Sequence, residues 1–491
     1  MIPRTSRPAV LTAAAVLATA ATVAVLLPAR AWAHATLIGR EDLPLPEWLF
    51  IYGALLILVV SFVGLLLAWR KPHFEDRPAR PATPRLSALL LNRFTEALAG
   101  LIGVALLILV VWTGLDGVVA PDRNFSVSFV FVTFWLGVTA ISVLFGDVFR
   151  AFNPWRATGR AVSAGFTLIA GQRAPAPLAY PERLGRWPAA IAVGGFLFLE
   201  LVWGQSGFAA AGIEPRDVAI ATLVYSAYTF AAMALFGVDR WIDRGEAFSQ
   251  YFAMFASLAP VAYEDRRILL RRPLSGSTTW SGPAGSLALV LIAIGGTTFD
   301  GAQEGLLKDP INSLYGTLID AGASPVASLR LTNTLFLLLA LVVVTGIFWA
   351  GIQGMRIVES KRSARELATA FAHAFIPIAL AYIVAHYFSY VVYLEQAQFT
   401  FLLSDPFGTG DDIFGTADSG IDYTLLNASV IQYTQFGAIV IGHVLALALG
   451  HDRALKIWGN TRDAAWSQVW MLVMMMFFSM LGLYLLSEAN G

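Results

Sequence analysis

The sequence predicts an all-α protein, a polytopic transmembrane helical bundle of about ten spans with one further interfacial or re-entrant helix. Three observations lead there. The chain is 57% hydrophobic and 13% charged, where a soluble domain is typically about 25% charged. Apolar runs long enough to cross a hydrocarbon core recur from end to end. Lys and Arg gather in alternate connections, as expected of loops kept on the cytoplasmic side. The 33 basic and 33 acidic residues cancel, so bulk charge gives no reason to expect nucleic acid as a partner. Cysteine is absent, which excludes disulfides, thiolate zinc sites, iron–sulfur clusters and a cysteine nucleophile.

The elements follow in chain order. Arg4 and Arg7 precede an Ala/Val/Leu run from Ala9 to Leu27, and Ala31-Trp32-Ala33 follows. A basic n-region, an apolar h-region and an A-x-A site predict a signal peptide over 1–33. The rest, 34–491, reads as a single membrane domain beginning at His34. A free α-amino group beside an imidazole can chelate a metal, so His34 is a candidate ligand.

Spans are expected over 47–69, 96–114, 127–147, 187–204, 217–238, 283–299, 331–353, 367–393, 431–450 and 467–487. The basic loops 70–93, 148–186, 239–282, 354–366 and 451–466 then fall inside, and the mature termini outside. Segment 247–262 is short, ends at Pro260 and is flanked by arginines on both sides. If it crossed, every later loop would invert, so it is read as non-spanning. FNPWRATGRA (152–161) reads as a loop turning into an interfacial helix with a structural role, Trp155 and Arg156 anchoring it at the inner headgroups. The two longest outer connections, 300–329 and 394–430, are acidic, and the second has no Lys or Arg. The expected location is the bacterial inner membrane, with the lipid bilayer and a small apolar substrate as partners.

Ionisable groups inside spans are costly and are functional candidates by default. Glu200 lies in the outer part of its span. His373 and His386 share a span but stand about 20 Å apart along it, at 1.5 Å per residue. They cannot share a metal. His373 instead matches the depth of His443, and the two could form a polar clasp, a proton relay or a bis-histidine haem site. His386 opens outward toward Glu395, with Tyr382 one turn before it. His34, Glu200, Asp300, His386, Glu395 and the aspartates at 405–422 thus form an outward constellation, most of those aspartates reading as a solvated acidic loop. Imidazole with carboxylate suits a hydrolytic divalent metal of unspecified identity, held by His34, His386 and Glu395. Asp300 and Glu200 are the candidate catalytic residues beside metal-activated water. No H-E-x-x-H, EF-hand, Walker A, dinucleotide or G-x-S-x-G pattern occurs.

Several segments carry a family likeness: AHATLIGREDLPLPEWLF, FRAFNPWRA, RGEAFSQYFAMFASLAPVAYEDRRILLRRPL, TTFDG, HAFIPIALAYIVAHYFSYVV, LSDPFGTG and GHVLALALGHDRAL. Together they resemble a family of bacterial integral-membrane proteins called fenitrothion hydrolases, over nearly the whole chain and in the same order. The resemblance implies hydrolysis of an organophosphorus triester at its aryl leaving group. It assigns no catalytic residues. Two other classes fit the residues: a small-molecule transporter or permease, and a copper-handling or redox membrane protein using His34 and the His373/His443 pair.

Overall fold

The computed structural model describes residues 47–75, 78–171, 178–206, 213–358 and 362–490. The signal-peptide segment 1–33 and His34 lie outside the described residues. The fold is mostly helical. In chain order it contains α1 (Glu47–Ala68), β1 (Arg80–Pro81), α2 (Arg93–Asp116), α3 (Phe125–Phe145), α4 (Pro154–Ala170), α5 (Trp187–Trp203), α6 (Pro215–Phe236) and α7 (Ala247–Ala256). The hairpin β2 (Val261–Glu264) and β3 (Arg267–Leu270) follows. Then come α8 (Ser286–Gln303), α9 (Lys308–Asp320), α10 (Pro325–Val358), α11 (Ala364–Ser404), α12 (Ala428–Trp458) and α13 (Thr461–Asn490).

Among the described residues, eight helices are long and apolar enough to cross a membrane: α2, α3, α6, α8 and α10 to α13. Tyr52–Ala68 and Trp187–Trp203 are shorter apolar helices. The chain is a multi-pass membrane protein. Its helix starts are fixed locally: Asn92 and Asn427 accept the backbone N–H of Thr95 and Val430, and Ser363 and Glu366 close a capping box. The interior joins α8 to α5, α10 and α11, and α11 to α12. The α11–α12 approach depends on Gly442, where a Cβ would lie 2.3 Å from the Ala381 Cβ. Small residues at such crossings let membrane helices pack backbone to backbone.

The basic loops meet on one face. β3 pairs antiparallel with both β1 and β2, Arg80 and Val261 each standing opposite Leu270, so the 70–93 and 239–282 loops share one small sheet. Asp452, fully buried, accepts Trp69 Nε1 at 2.9 Å and the backbone N–H groups of His73, Phe74 and Glu75. Glu75 in turn pairs with Arg453 at 2.6 Å and Lys456 at 3.0 Å. Arg150 reaches Asp243 at 2.6 Å, and Arg186 reaches Gln250 at 2.6 Å. Burial pushes the Arg186 guanidinium down to about 10, because water no longer solvates its charge.

Three expectations change in detail. The 247–262 segment holds α7, whose ten residues span about 15 Å, half a membrane. Of the two expected forms, interfacial or re-entrant, the interfacial one does not fit: the helix is buried on nearly all sides, and the β2–β3 hairpin follows it directly. Trp155 and Arg156 are not headgroup anchors: both are buried, Trp155 donating to Ser226 Oγ at 2.9 Å and Arg156 pairing with Glu96 at 2.7 Å. The FNPW turn is structural: Asn153 caps α4 and donates to Glu246, which caps α7. The 300–329 connection is not an open loop, since α8 runs on to Gln303 and α9 fills most of the remainder.

Candidate functional site

The site lies where α3, α5, α8 and α11 meet, toward the face opposite the basic loops. Arg186 marks the near end of α8, holding Ser286 Oγ at 2.8 Å, and Asp300 sits near the far end. His386 and Tyr387 are consecutive on α11 and both turn toward it. His386 Nε2 lies 2.8 Å from Asp300 Oδ2, and the Tyr387 hydroxyl donates to the same oxygen at 2.5 Å. Gln303, one turn on from Asp300, donates its Nε2 to Oδ1 at 2.7 Å. A carboxylate only accepts, so the imidazole donates through Nε2, and in its neutral form Nδ1 is the acceptor nitrogen. A Cβ at Gly301 would stand 3.7 Å from Nδ1, so this glycine leaves that side of the ring clear.

Two departures from α-helix frame the cluster. Phe129–Gly137 in α3 and Leu199–Trp203 in α5 are wound as π-helix, a geometry frequent at functional sites because it re-aims side chains. The first carries Trp135, whose ring meets Tyr387 edge-to-face at 5.1 Å and whose Nε1 donates to Tyr251 at 2.9 Å. The second carries Glu200. Its Oε2 is enclosed without a hydrogen-bond partner.

The structure thus brings Asp300, His386 and Glu200 together and sets Glu395 apart. Glu395 follows His386 by nine residues, a rise of about 13 Å and about two and a half turns of helix, which puts it on the opposite side. It accepts from Thr133 Oγ1 at 2.9 Å, against α3. His386 and Glu395 therefore do not converge on one ion, whose bonds are near 2 Å. Both oxygens of Asp300 already accept from protein donors. Among the described residues, no group of three or more His, Cys, Asp and Glu is placed to hold a metal. The donors at hand form a hydrogen-bonded acid–base cluster, and His34, the remaining expected ligand, lies outside the described residues.

His373 and His443 are both fully buried. Each bonds through Nδ1 to its own helix, at Ala370 O and Ile439 O, and each Nε2 lacks a partner, so they are not clasped to one another. Sequence reasoning missed Tyr387, Gln303, Trp135 and Tyr251. Only Gln303 had a signal, its three-residue spacing from Asp300 along a helix. The aspartates of the 405–422 loop order it locally: Asp405 accepts from the N–H of Thr409 and Gly410, and Asp412 from those of Thr416 and Ala417.

Fold and site define a helical membrane protein with an acid–base cluster buried among its spans. Compared with known family models, curated proteins and solved structures, the chain matches none.

Proposed function

We propose that this is a membrane-embedded hydrolase of an apolar organophosphorus triester, with His386 as general base and Asp300 as the residue that orients it. The contact between Asp300 Oδ2 and His386 Nε2 carries the reading. It fixes the tautomer, leaves Nδ1 to take a proton from water, and supplies a counter-charge to the imidazolium that forms. Water oxygen bonds to phosphorus as the P–O bond to the aryl group breaks. The proton held at Nδ1 then passes to the aryloxide, which leaves as the aryl alcohol. The family likeness of the motifs supports the choice of substrate, and the bilayer is where an apolar triester concentrates.

In the same reading the chain has ten spans, the eight long helices plus Tyr52–Ala68 and Trp187–Trp203. It sits in a bacterial inner membrane, with the basic-loop face cytoplasmic and the mature chain starting after a signal peptide. The test is release of aryl alcohol from an aryl dialkyl phosphotriester by protein in nanodiscs, run in ¹⁸O-water. Label in the phosphodiester product is expected; no release, or label in the aryl alcohol, overturns the reading.

A second reading, a proton-coupled permease, is favoured by Glu200. An enclosed carboxylate oxygen without a partner, next to a second carboxylate, is suited to reversible proton loading. Proton uptake into proteoliposomes during substrate flux, lost in Glu200→Gln, would support it; flux unaffected by Glu200→Gln would count against it.

A further inference from the structure

A second site lies apart from the acid–base cluster. A cavity of about 860 Å³ runs between α2, α3, α5 and α6, and none of Glu200, Asp300, His386 or Tyr387 lines it. Its volume falls in the range of small-molecule sites, roughly 300–1,000 Å³. Three features define an occupant. No charged residue lines the walls, so the ligand is uncharged. Rings dominate the lining, among them Phe134, Trp155, Phe196, Trp203 and Tyr225, so a ring-bearing ligand gains edge and face contacts. The rim residues Val224 and Phe399 are each 65% exposed on the surface of spanning helices, so entry is from the bilayer.

One wall residue asks for a partner. Gln398 on α11 is 2% exposed and lines the cavity, and its Oε1 has no hydrogen-bond partner. An enclosed amide oxygen left unpaired costs free energy that a ligand donor would recover. The neighbouring polar pair, Thr133 and Glu395, is already satisfied by its own hydrogen bond.

We infer that this cavity binds an uncharged, ring-bearing apolar molecule from the bilayer that donates one hydrogen bond, from an O–H or N–H, to Gln398. The inference does not rest on the hydrolase reading, and binding is measured without turnover. The probe is 4-hydroxybenzophenone, with benzophenone as the donor-free control, photolysed at about pH 6 on nanodisc-held protein and mapped by mass spectrometry. Saturable cross-links to Phe196, Trp203 or Phe399 are expected, with half-saturation about tenfold lower for the hydroxylated probe, the scale of one hydrogen bond. Gln398→Leu should bring the two probes level. Gly195 lines the cavity and a Cβ there meets nothing within 4 Å, so Gly195→Phe should fill the space and abolish saturable labelling. Labelling that does not saturate, or that is unchanged in Gly195→Phe, overturns the site. Equal half-saturation of the two probes in the unaltered protein overturns the role of Gln398.

Discussion

His386 and Asp300 meet Nε2 to Oδ2 at 2.8 Å, although 86 residues separate them in the chain. Two helices must be held in register for that contact to exist. Tyr387 and Gln303 hold the carboxylate from two further directions.

Tyr387→Phe removes one of two donors to Asp300 Oδ2 and keeps the ring against Trp135. Turnover should fall about tenfold, the scale of one hydrogen bond to a charged group, while the thermal midpoint moves little. Steady-state kinetics and thermal unfolding of the same preparation check both halves.

Gly301→Ala tests which nitrogen of His386 does the work. The added Cβ would make an ordinary contact at 3.7 Å from Nδ1, so the fold should persist. Water would be crowded from the acceptor nitrogen, and the rate should fall by about ten- to a hundredfold, as misplacement in an active site does. An unchanged rate would show that Nδ1 is not the reacting nitrogen.

Much of this was legible in the sequence. Apolar runs mark the spans because no water inside a bilayer can satisfy a backbone, so each crossing must be a continuous helix. Glu200 and His386 stand out because an ionisable group in such a run is costly, and Asp300 reads as the first residue of the acidic connection after its run. Their partners do not stand out, since interhelical register is set by packing that no single run displays. Glu395 was grouped with His386 because both follow the same span outward, yet nine-residue spacing turns them to opposite sides of the helix. The π-helical turns that aim Trp135 and Glu200 have no sequence mark. Asp452 and Glu75 carry no sequence mark either, because their partners lie nearly 400 residues away.

Asp452→Ala should be the most destabilising of these substitutions. It strands the Trp69 indole and the N–H groups of His73, Phe74 and Glu75. A loss of about 3 kcal/mol or more is expected: a buried donor left unpaired costs ~1–3 kcal/mol, and of the four donors the Glu75 N–H is buried and the other three partly so. Unfolding by denaturant in a fixed detergent measures it.

The Asp412 loop should resist acid. The Ser404 hydroxyl and the N–H groups of Ala417 and Thr416 hold the Asp412 carboxyl below the usual carboxylate range. A depressed folded value means that the stabilisation is complete above the unfolded value of about 3.9 and is lost as pH falls through the folded one. Amide exchange at Thr416 and Ala417, corrected for intrinsic rate, should stay slow down to about pH 4 and quicken only below it. Protection lost already at about pH 5 would mean that these hydrogen bonds do not form.

The most direct test of the account compares His386→Gln with the unaltered protein in nanodiscs, measuring aryl alcohol released from fenitrothion. Turnover by the unaltered protein is expected, with a 10²- to 10⁴-fold loss in the variant, the usual worth of a general base, and an unchanged thermal midpoint. Turnover that survives His386→Gln at full rate would contradict the general-base role.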